Sequence, residues 1–313
     1  MEIVVLDGYT MRDLNWEELK KLGTFRFYDR TAPELVRERI GKAELVLTNK
    51  VVLDEAILAD CPSIRYIGVT ATGYNVVDLN AARRQGIVVT NAPDYSTESV
   101  SQFTMALLLE LCHQVGLHAG SVRQGDWIAS KDFCYWKSDM TLLIGKTLGI
   151  LGYGKIGKKV AALAQAFGMN VLVTTPHPAA DGDGIRFVSW EELLEQADVI
   201  SLHCPLTEAT SGIICRDSIE KMKDGVWILN VSRGPLVVEK DLREALCSGK
   251  VAKAACDVIS AEPMRKDNPL WGAPNLLITP HIAWAAEEAR QKLLRIVIEN
   301  VQAFLAGNPV HVV

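Results

Sequence analysis

Three polar residues late in the chain stand out by what precedes them. Asn230-Val-Ser-Arg233-Gly-Pro235 sets an arginine just past an apolar run, Val226–Leu229. Cys256-Asp257-Val-Ile-Ser-Ala-Glu262-Pro263 follows a second run, Ala252–Cys256, and Thr279-Pro-His281 follows a third, Leu276–Ile278. Singly, each reads as an ordinary ion-pair arginine, a solvated loop acid or a satisfied loop histidine. Jointly they are the set that reduction of a 2-keto acid requires. Hydride delivery to the keto carbon leaves an alkoxide that must take a proton, and imidazole titrates in the right range. A carboxylate beside the ring favours the imidazolium and fixes its orientation. A guanidinium can hold the keto oxygen and the substrate carboxylate together through its planar fork.

A hydride needs a carrier, and a second motif points to one. In Leu148-Gly-Ile-Leu-Gly152-Tyr-Gly154-Lys155-Ile156-Gly157 the three glycines lie between an apolar strand and a helical run. The first permits the tight turn, the second lets backbone approach a pyrophosphate, and the third lets helix pack on strand. Strand before and helix after are the context that makes this glycine spacing meaningful. An acid about 20 residues on normally accepts from the adenosine ribose hydroxyls. Here that place holds Thr174 and Thr175, which repel no 2′-phosphate, and only His177 follows, with no arginine to bind one. NAD is favoured on that ground, with NADP still open.

Further elements must position these residues. Apolar runs alternate with helical patterns along the chain, at Ile3–Leu6, Phe25–Tyr28, Leu45–Leu47 and Tyr66–Val69, then Leu148–Leu151, Val171–Val173, Val199–Leu202 and the three runs named above. Strands buried on both faces and separated by helices imply two parallel sheets with crossover helices, an α/β fold in two sets. Ligands in such sheets sit at the carboxyl ends of the strands, where Arg233, Glu262 and His281 would converge. Between the sets, Thr97 to about Gln124 reads as one long helix. A last helix, about Trp284 to Ala306, stops at Gly307 and Pro309, and either set could receive its apolar face. Ser189-Trp-Glu-Glu192 fits a capping box. The segment Phe133–Trp136 carries three large aromatics. Each would cost about 1.5 to 3 kcal/mol left in water, so they are expected to be covered, by a satellite core under the long helix or by a partner subunit.

The bulk composition excludes several classes. At 313 residues the chain has room for about two domains. Net charge is −5 and no Lys/Arg-rich run occurs, which speaks against nucleic acid and anionic membranes as partners. The opening MEIVVLDGYT lacks the layout of a signal peptide. No apolar stretch reaches the roughly 18 to 20 residues that span a bilayer. Seven scattered cysteines with no CxxC pair suggest a reducing, cytoplasmic setting and no metal site.

The motifs in combination resemble the D-2-hydroxyacid dehydrogenases, most closely the glycerate dehydrogenase/hydroxypyruvate reductase branch. The resemblance runs end to end, through Val69-Thr-Ala-Thr72-Gly73-Tyr-Asn75, Gly152–Gly157, His203-Cys-Pro205-Leu-Thr207, Asn230–Gly234, Cys256–Pro263 and Thr279–His281. It implies that Arg233 binds substrate, that Glu262 pairs with His281, and that His281 is the general acid/base. It implies backbone N–H groups at Thr72 and Gly73 for the substrate carboxylate, and Asp257 for the nicotinamide carboxamide. Thr104, Gly152, Gly154, Lys155, Ile156, Gly157, Thr175, His203, Pro205 and Thr210 fall where the family contacts the cofactor. The architecture it implies is a Rossmann NAD-binding domain, residues 100–284, inserted in a flavodoxin-like substrate domain formed by residues 1–99 and 285–313. It also implies a homodimer joined through the cofactor domains, with Trp136 reaching the partner's substrate site. The substrate class is hydroxypyruvate/D-glycerate, with glyoxylate/glycolate next.

Departures from the family narrow this. Residues 101–103 read Ser-Gln-Phe where many members have Ala-Glu-His. The Val69–Asn75 loop lacks the arginine typical of phosphoglycerate dehydrogenases, and no regulatory domain follows Val313, so a phosphorylated substrate is not expected. Glu262 with His281 differs from the glutamine–histidine pattern of formate dehydrogenases. The alternatives are an NAD-binding corepressor-like protein, whose disordered tail is missing here, or a dehydrogenase for phosphite or D-lactate.

Overall fold

The computed structural model describes residues 1–313. The chain divides into two compact units, Met1–Ser96 with Ala285–Val313, and Thr97–Trp284. Thr97–Ser99 fall with the second unit because they open its first helix, where Ser99 Oγ donates to the Ala283 carbonyl at 2.6 Å.

The first unit is built on five parallel strands: β1 Glu2–Val5, β2 Thr24–Phe27, β3 Leu45–Thr48, β4 Tyr66–Val69 and β5 Val88–Thr90, in the order β2-β1-β3-β4-β5. This is the flavodoxin-like order. β3 and β4 are buried at every position, as their unbroken apolar runs require. The C-terminal helix runs Glu287–Leu305 and covers this sheet, with Phe304 against Tyr66 at 4.8 Å between ring centroids. The chain end then bridges the free edge of β5, where Val313 N donates to the Val89 carbonyl.

The second unit carries seven parallel strands: β6 Thr147–Leu151, β7 Asn170–Thr174, β8 Ile185–Phe187, β9 Val199–Leu202, β10 Val226–Asn230, β11 Val251–Cys256 and β12 Leu276–Ile278. Their order, β12-β11-β10-β9-β6-β7-β8, reverses direction between β6 and β9, which is the Rossmann switch point. Two apolar layers flank the sheet. A Rossmann domain is thus inserted in a flavodoxin-like one. No helix is long and apolar enough to cross a membrane.

Four details depart from expectation. The stretch Thr97–Gln124 is two helices, Thr97–His113 and Val115–Arg123, because Gln114 takes a left-handed φ of 44° and Glu110 turns its side chain to the Gly116 N–H. The apolar positions of the second helix, Val115, Leu117 and Val122, face solvent. At Ser189 only half of the capping box forms: the hydroxyl accepts from Glu192 N, while the Glu192 carboxylate turns to Arg186 and Gln196. Finally, the aromatic segment finds no cover within its own chain, with Phe133 88% and Trp136 65% exposed. Only Tyr135 docks, its hydroxyl 2.6 Å from Ser121 Oγ.

Candidate active site

The glycine turn begins where β6 ends. Gly152 has φ 97°, and a Cβ there would lie 2.7 Å from the His203 backbone. A Cβ on Gly157 would lie 2.2 Å from the Gly152 carbonyl oxygen, so any other residue would push the helix off the turn. Gly154 is the opposite case, with nothing within 4 Å of its Cβ position. The helix Lys155–Ala166 starts there and no side chain caps it. Open space before an uncapped helix N-terminus is what a pyrophosphate needs, and Lys155 and Ile156 stand on that first turn. The residues present fit a dinucleotide.

The walls of this turn are fixed by short polar contacts. His203 N donates to the Leu151 carbonyl and its Nε2 lies 2.7 Å from Ser201 Oγ. Burial pushes the ring down to about 4, so it is neutral at neutral pH. Thr210 closes the following loop, donating to the Pro205 carbonyl at 2.7 Å while Thr207 N donates to it. Thr174 donates to the carbonyls of Val188 and Ser189, so its hydroxyl is engaged. Thr175, one residue past β7, is half-buried and keeps a free hydroxyl. Thr104 is different from all of these. It is fully buried, its hydroxyl donates to the Val100 carbonyl at 2.7 Å, and it offers a ligand no exposed atom.

The catalytic candidates come from three adjacent strands. Arg233 follows β10, is exposed, and its guanidinium has no carboxylate partner; its one contact is with the Ser232 carbonyl. Glu262 follows β11 and His281 follows β12. Glu262 Oε2 lies 2.6 Å from His281 Nδ1, with both side chains about a third exposed. That bond fixes the tautomer with the proton on Nδ1 and leaves Nε2 without a hydrogen bond. The structure therefore brings Glu262 and His281 into direct contact.

His281 adopts a left-handed φ of 54°. Histidine tolerates that region better than most residues, yet the conformation costs on the order of 1 kcal/mol or more. Asp257 holds it. The Asp257 carbonyl accepts from His281 N at 2.8 Å, and its carboxylate accepts from Thr279 Oγ1, Ile282 N and Ala283 N at 2.6, 2.9 and 2.8 Å. This carboxylate is only 1% exposed, and its work in the fold is to bind the turn that presents His281. Two thiols close by are chemically silent: burial pushes Cys256 up to about 12 and Cys204 up to about 11.

In the first unit, the loop after β4 carries Thr72 and Gly73. Thr72 Oγ1 donates to the Ala92 carbonyl and Asn91 Nδ2 donates to the Thr72 carbonyl, which fixes the loop. The N–H groups of Thr72 and Gly73 donate to no group of this unit.

A family model for the D-isomer specific 2-hydroxyacid dehydrogenase NAD-binding domain matches residues 105–283. The chain belongs to this family. A hydroxypyruvate reductase from Blautia hydrogenotrophica is 52% identical, with 100% of this chain and 99% of that protein covered. A glycerate dehydrogenase from Methylorubrum extorquens is 40% identical, over 100% and 98%. Among solved structures, the TT0316 protein from Thermus thermophilus superposes with a TM-score of 0.88 at 33% identity, covering 100% of both chains. This D-2-hydroxyacid dehydrogenase is accordingly an NAD-dependent oxidoreductase.

Reading the sequence missed two residues that build this dehydrogenase's site. One is Thr279, which clips Asp257 to the histidine turn. The other is Glu239, whose carboxylate accepts from Ser260 N at 2.7 Å, on the loop bearing Glu262. An acid on the first turn of a helix reads as a favourable dipole partner and carries no signal of a contact 21 residues away.

Proposed function

We propose that this dehydrogenase reduces hydroxypyruvate to D-glycerate, with glyoxylate as a poorer substrate, and that Arg233, Glu262 and His281 carry the reaction. The observation that carries this is the Glu262–His281 pair at 2.6 Å, with Nε2 left open. The cofactor, when bound, supplies the hydride to the keto carbon. His281 Nε2 donates the proton that the nascent alkoxide needs, and Glu262 stabilises the imidazolium beforehand. Arg233, free of any carboxylate in the fold, holds the keto oxygen and the substrate carboxylate, and the N–H groups of Thr72 and Gly73 bind that carboxylate as well. The near relatives that act as a hydroxypyruvate reductase and a glycerate dehydrogenase support this substrate over longer keto acids.

Gly152, Gly154, Lys155, Ile156 and Gly157 take the pyrophosphate, and Thr175 takes the adenosine ribose. His203, Pro205 and Thr210 form the wall beside them, and Asp257 keeps one acceptor site for the carboxamide. Thr104 is left out of this set because it is closed off.

The active form is a homodimer joined through the Rossmann domains. The exposed apolar residues Ile128, Phe133, Trp136, Leu142 and Ile144 support it, since so many large apolar side chains within seventeen residues of chain favour cover by a partner. The surface thiols Cys134 and Cys247, both unpaired, accord with a reducing cytoplasmic setting. One panel tests the substrate: hydroxypyruvate, glyoxylate, pyruvate and branched 2-keto acids, each with NADH and NADPH. A kcat/KM highest for pyruvate or a branched acid would reject the assignment.

A further inference from the structure

Three features meet at two successive residues, Ile259 and Ser260. The N–H of Ile259 points at Glu262 Oε1 at 3.3 Å, so the acid that contacts His281 also folds back onto this backbone. The N–H of Ser260 donates to Glu239 Oε1 at 2.7 Å. Gly234, the neighbour of Arg233, lies against the peptide joining the two: a Cβ on Gly234 would sit 1.9 Å from the Ile259 carbonyl carbon. The loops bearing Arg233 and Glu262 are therefore in backbone contact here.

Glu239 is the outer jaw of this arrangement. It opens the helix Glu239–Ser248 and has no cationic partner. Oε1 takes Ser260 N–H and Oε2 takes Asn268 Nδ2 at 2.9 Å, so one carboxylate grips both ends of the loop that carries Glu262. One turn later on the same helix, Arg243 donates to the Pro269 and Trp271 carbonyls. The helix thus holds the loop 260–271 along its length, while Gly234 blocks retreat on the other side.

We propose that Glu239 is a positioning residue: by clamping the Ile259–Ser260 peptide against Gly234, it keeps Glu262 in contact with His281 and in register with Arg233. This rests on the catalytic reading of the Glu262–His281 pair. Loosening the clamp lets Glu262 withdraw, and the imidazolium loses its partner. The charged groups facing the ring are Glu262 at Nδ1 and Asp257 beneath the turn. A loss of contact with Glu262 therefore moves the ring's titration to lower pH.

The test separates position from charge. Glu239→Asp keeps the charge but is one methylene too short to reach both Ser260 and Asn268. The His281 titration midpoint, read by NMR on labelled protein and assigned with His281→Gln, should move to lower pH. Turnover of hydroxypyruvate should fall about 10- to 100-fold, the scale of a small misplacement, while NADH binding holds. In a Glu262→Gln background the same substitution should shift the midpoint no further. A wild-type midpoint in Glu239→Asp overturns the proposal, as does an equal shift without Glu262. Should Glu239→Asp not fold, Glu239→Gln in both backgrounds takes its place, since a shift that persists without Glu262 is a field effect and equally overturns it. The midpoint is read without substrate. Wild-type protein inert toward every 2-keto acid would thus reject the functional reading and leave this result standing.

Discussion

The carboxylate of Glu262 lies 2.6 Å from Nδ1 of His281, on the side of the ring away from the open Nε2. On the proposed mechanism one nitrogen holds the ring and the other moves a proton. The pH dependence follows with a definite sign. Keto-acid reduction needs the imidazolium, so its rate falls as pH rises through the ring's titration. Removing the carboxylate in Glu262→Gln favours the neutral ring, and the fall should begin at lower pH than in wild type. A reduction profile that keeps its wild-type midpoint in this variant would show that the pair has no electrostatic role.

His281→Gln tests the other nitrogen. Glutamine can still reach toward Glu262 but offers no titrating donor at the Nε2 position. Turnover should drop at least about 10²-fold, the usual cost of a lost general acid. NADH binding, followed by fluorescence, should be retained because the glycine turn lies on another loop. Turnover near wild type would remove His281 from the mechanism.

His203 sets a stability prediction rather than a catalytic one. Above about pH 6.5 the ring is neutral in both folded and unfolded chains and contributes nothing. Between there and the folded value of about 4, the unfolded chain takes a proton that the folded chain refuses. Stability should therefore fall with decreasing pH by at most about 1.4 kcal/mol per unit from this group, and less because an edge of the residue reaches solvent. Urea unfolding of wild type and His203→Asn between pH 7 and 4.5 should show a shallower loss in the variant. Parallel curves would mean that the ring protonates freely in the fold.

The fold was legible where strands are long and buried on both faces. β3, β4 and β10 carry apolar runs of three or more residues and β9 is interrupted only by Ser201, so their positions can be read directly. β5 and β8, of three residues each, are too short to show a period, and in β8 Arg186 interrupts the two apolar residues. Arg233, Glu262 and His281 could be found because each follows a recognisable strand. The contacts that hold them could not. Asp257 reaches Ala283 across 26 residues and Glu239 reaches Ser260 across 21, and no local pattern encodes either. The helix break at Gln114 was hidden for a related reason, since the side chain that caps it comes from Glu110 in the preceding turn.

Thr175 offers a test of cofactor choice. Its neighbour Thr174 spends its hydroxyl proton on the Val188 and Ser189 carbonyls, which leaves Thr175 as the residue proposed to meet the ribose. Thr175→Asp would add a ribose acceptor and repel a 2′-phosphate. The kcat/KM ratio for NADH over NADPH should rise about tenfold or more, equivalent to ~1.4 kcal/mol. A constant ratio would place the ribose elsewhere.

Trp136 decides whether the exposed aromatics serve a neighbour. It is 65% exposed in the single chain, and its segment is tied back by a few surface contacts, Trp127 Nε1 to the Phe133 carbonyl, Tyr135 to Ser121, and Lys137 N to His118 Nε2. A residue so little packed in its own chain should contribute little to monomer stability, and Trp136→Ala should lower the melting temperature by no more than a few degrees. If the side chain shapes the partner's substrate site, the same variant should change the preference between hydroxypyruvate and bulkier keto acids. Sedimentation should show a dimer for wild type, and dilution below its dissociation constant should abolish activity. Mixing Trp136→Ala with Arg233→Ala subunits is the stricter check. Each hybrid dimer would contain one site with both residues intact, so activity should recover to a fraction of wild type. Hybrids that form, as shown by mass spectrometry, and yet recover nothing would confine Trp136 to its own chain.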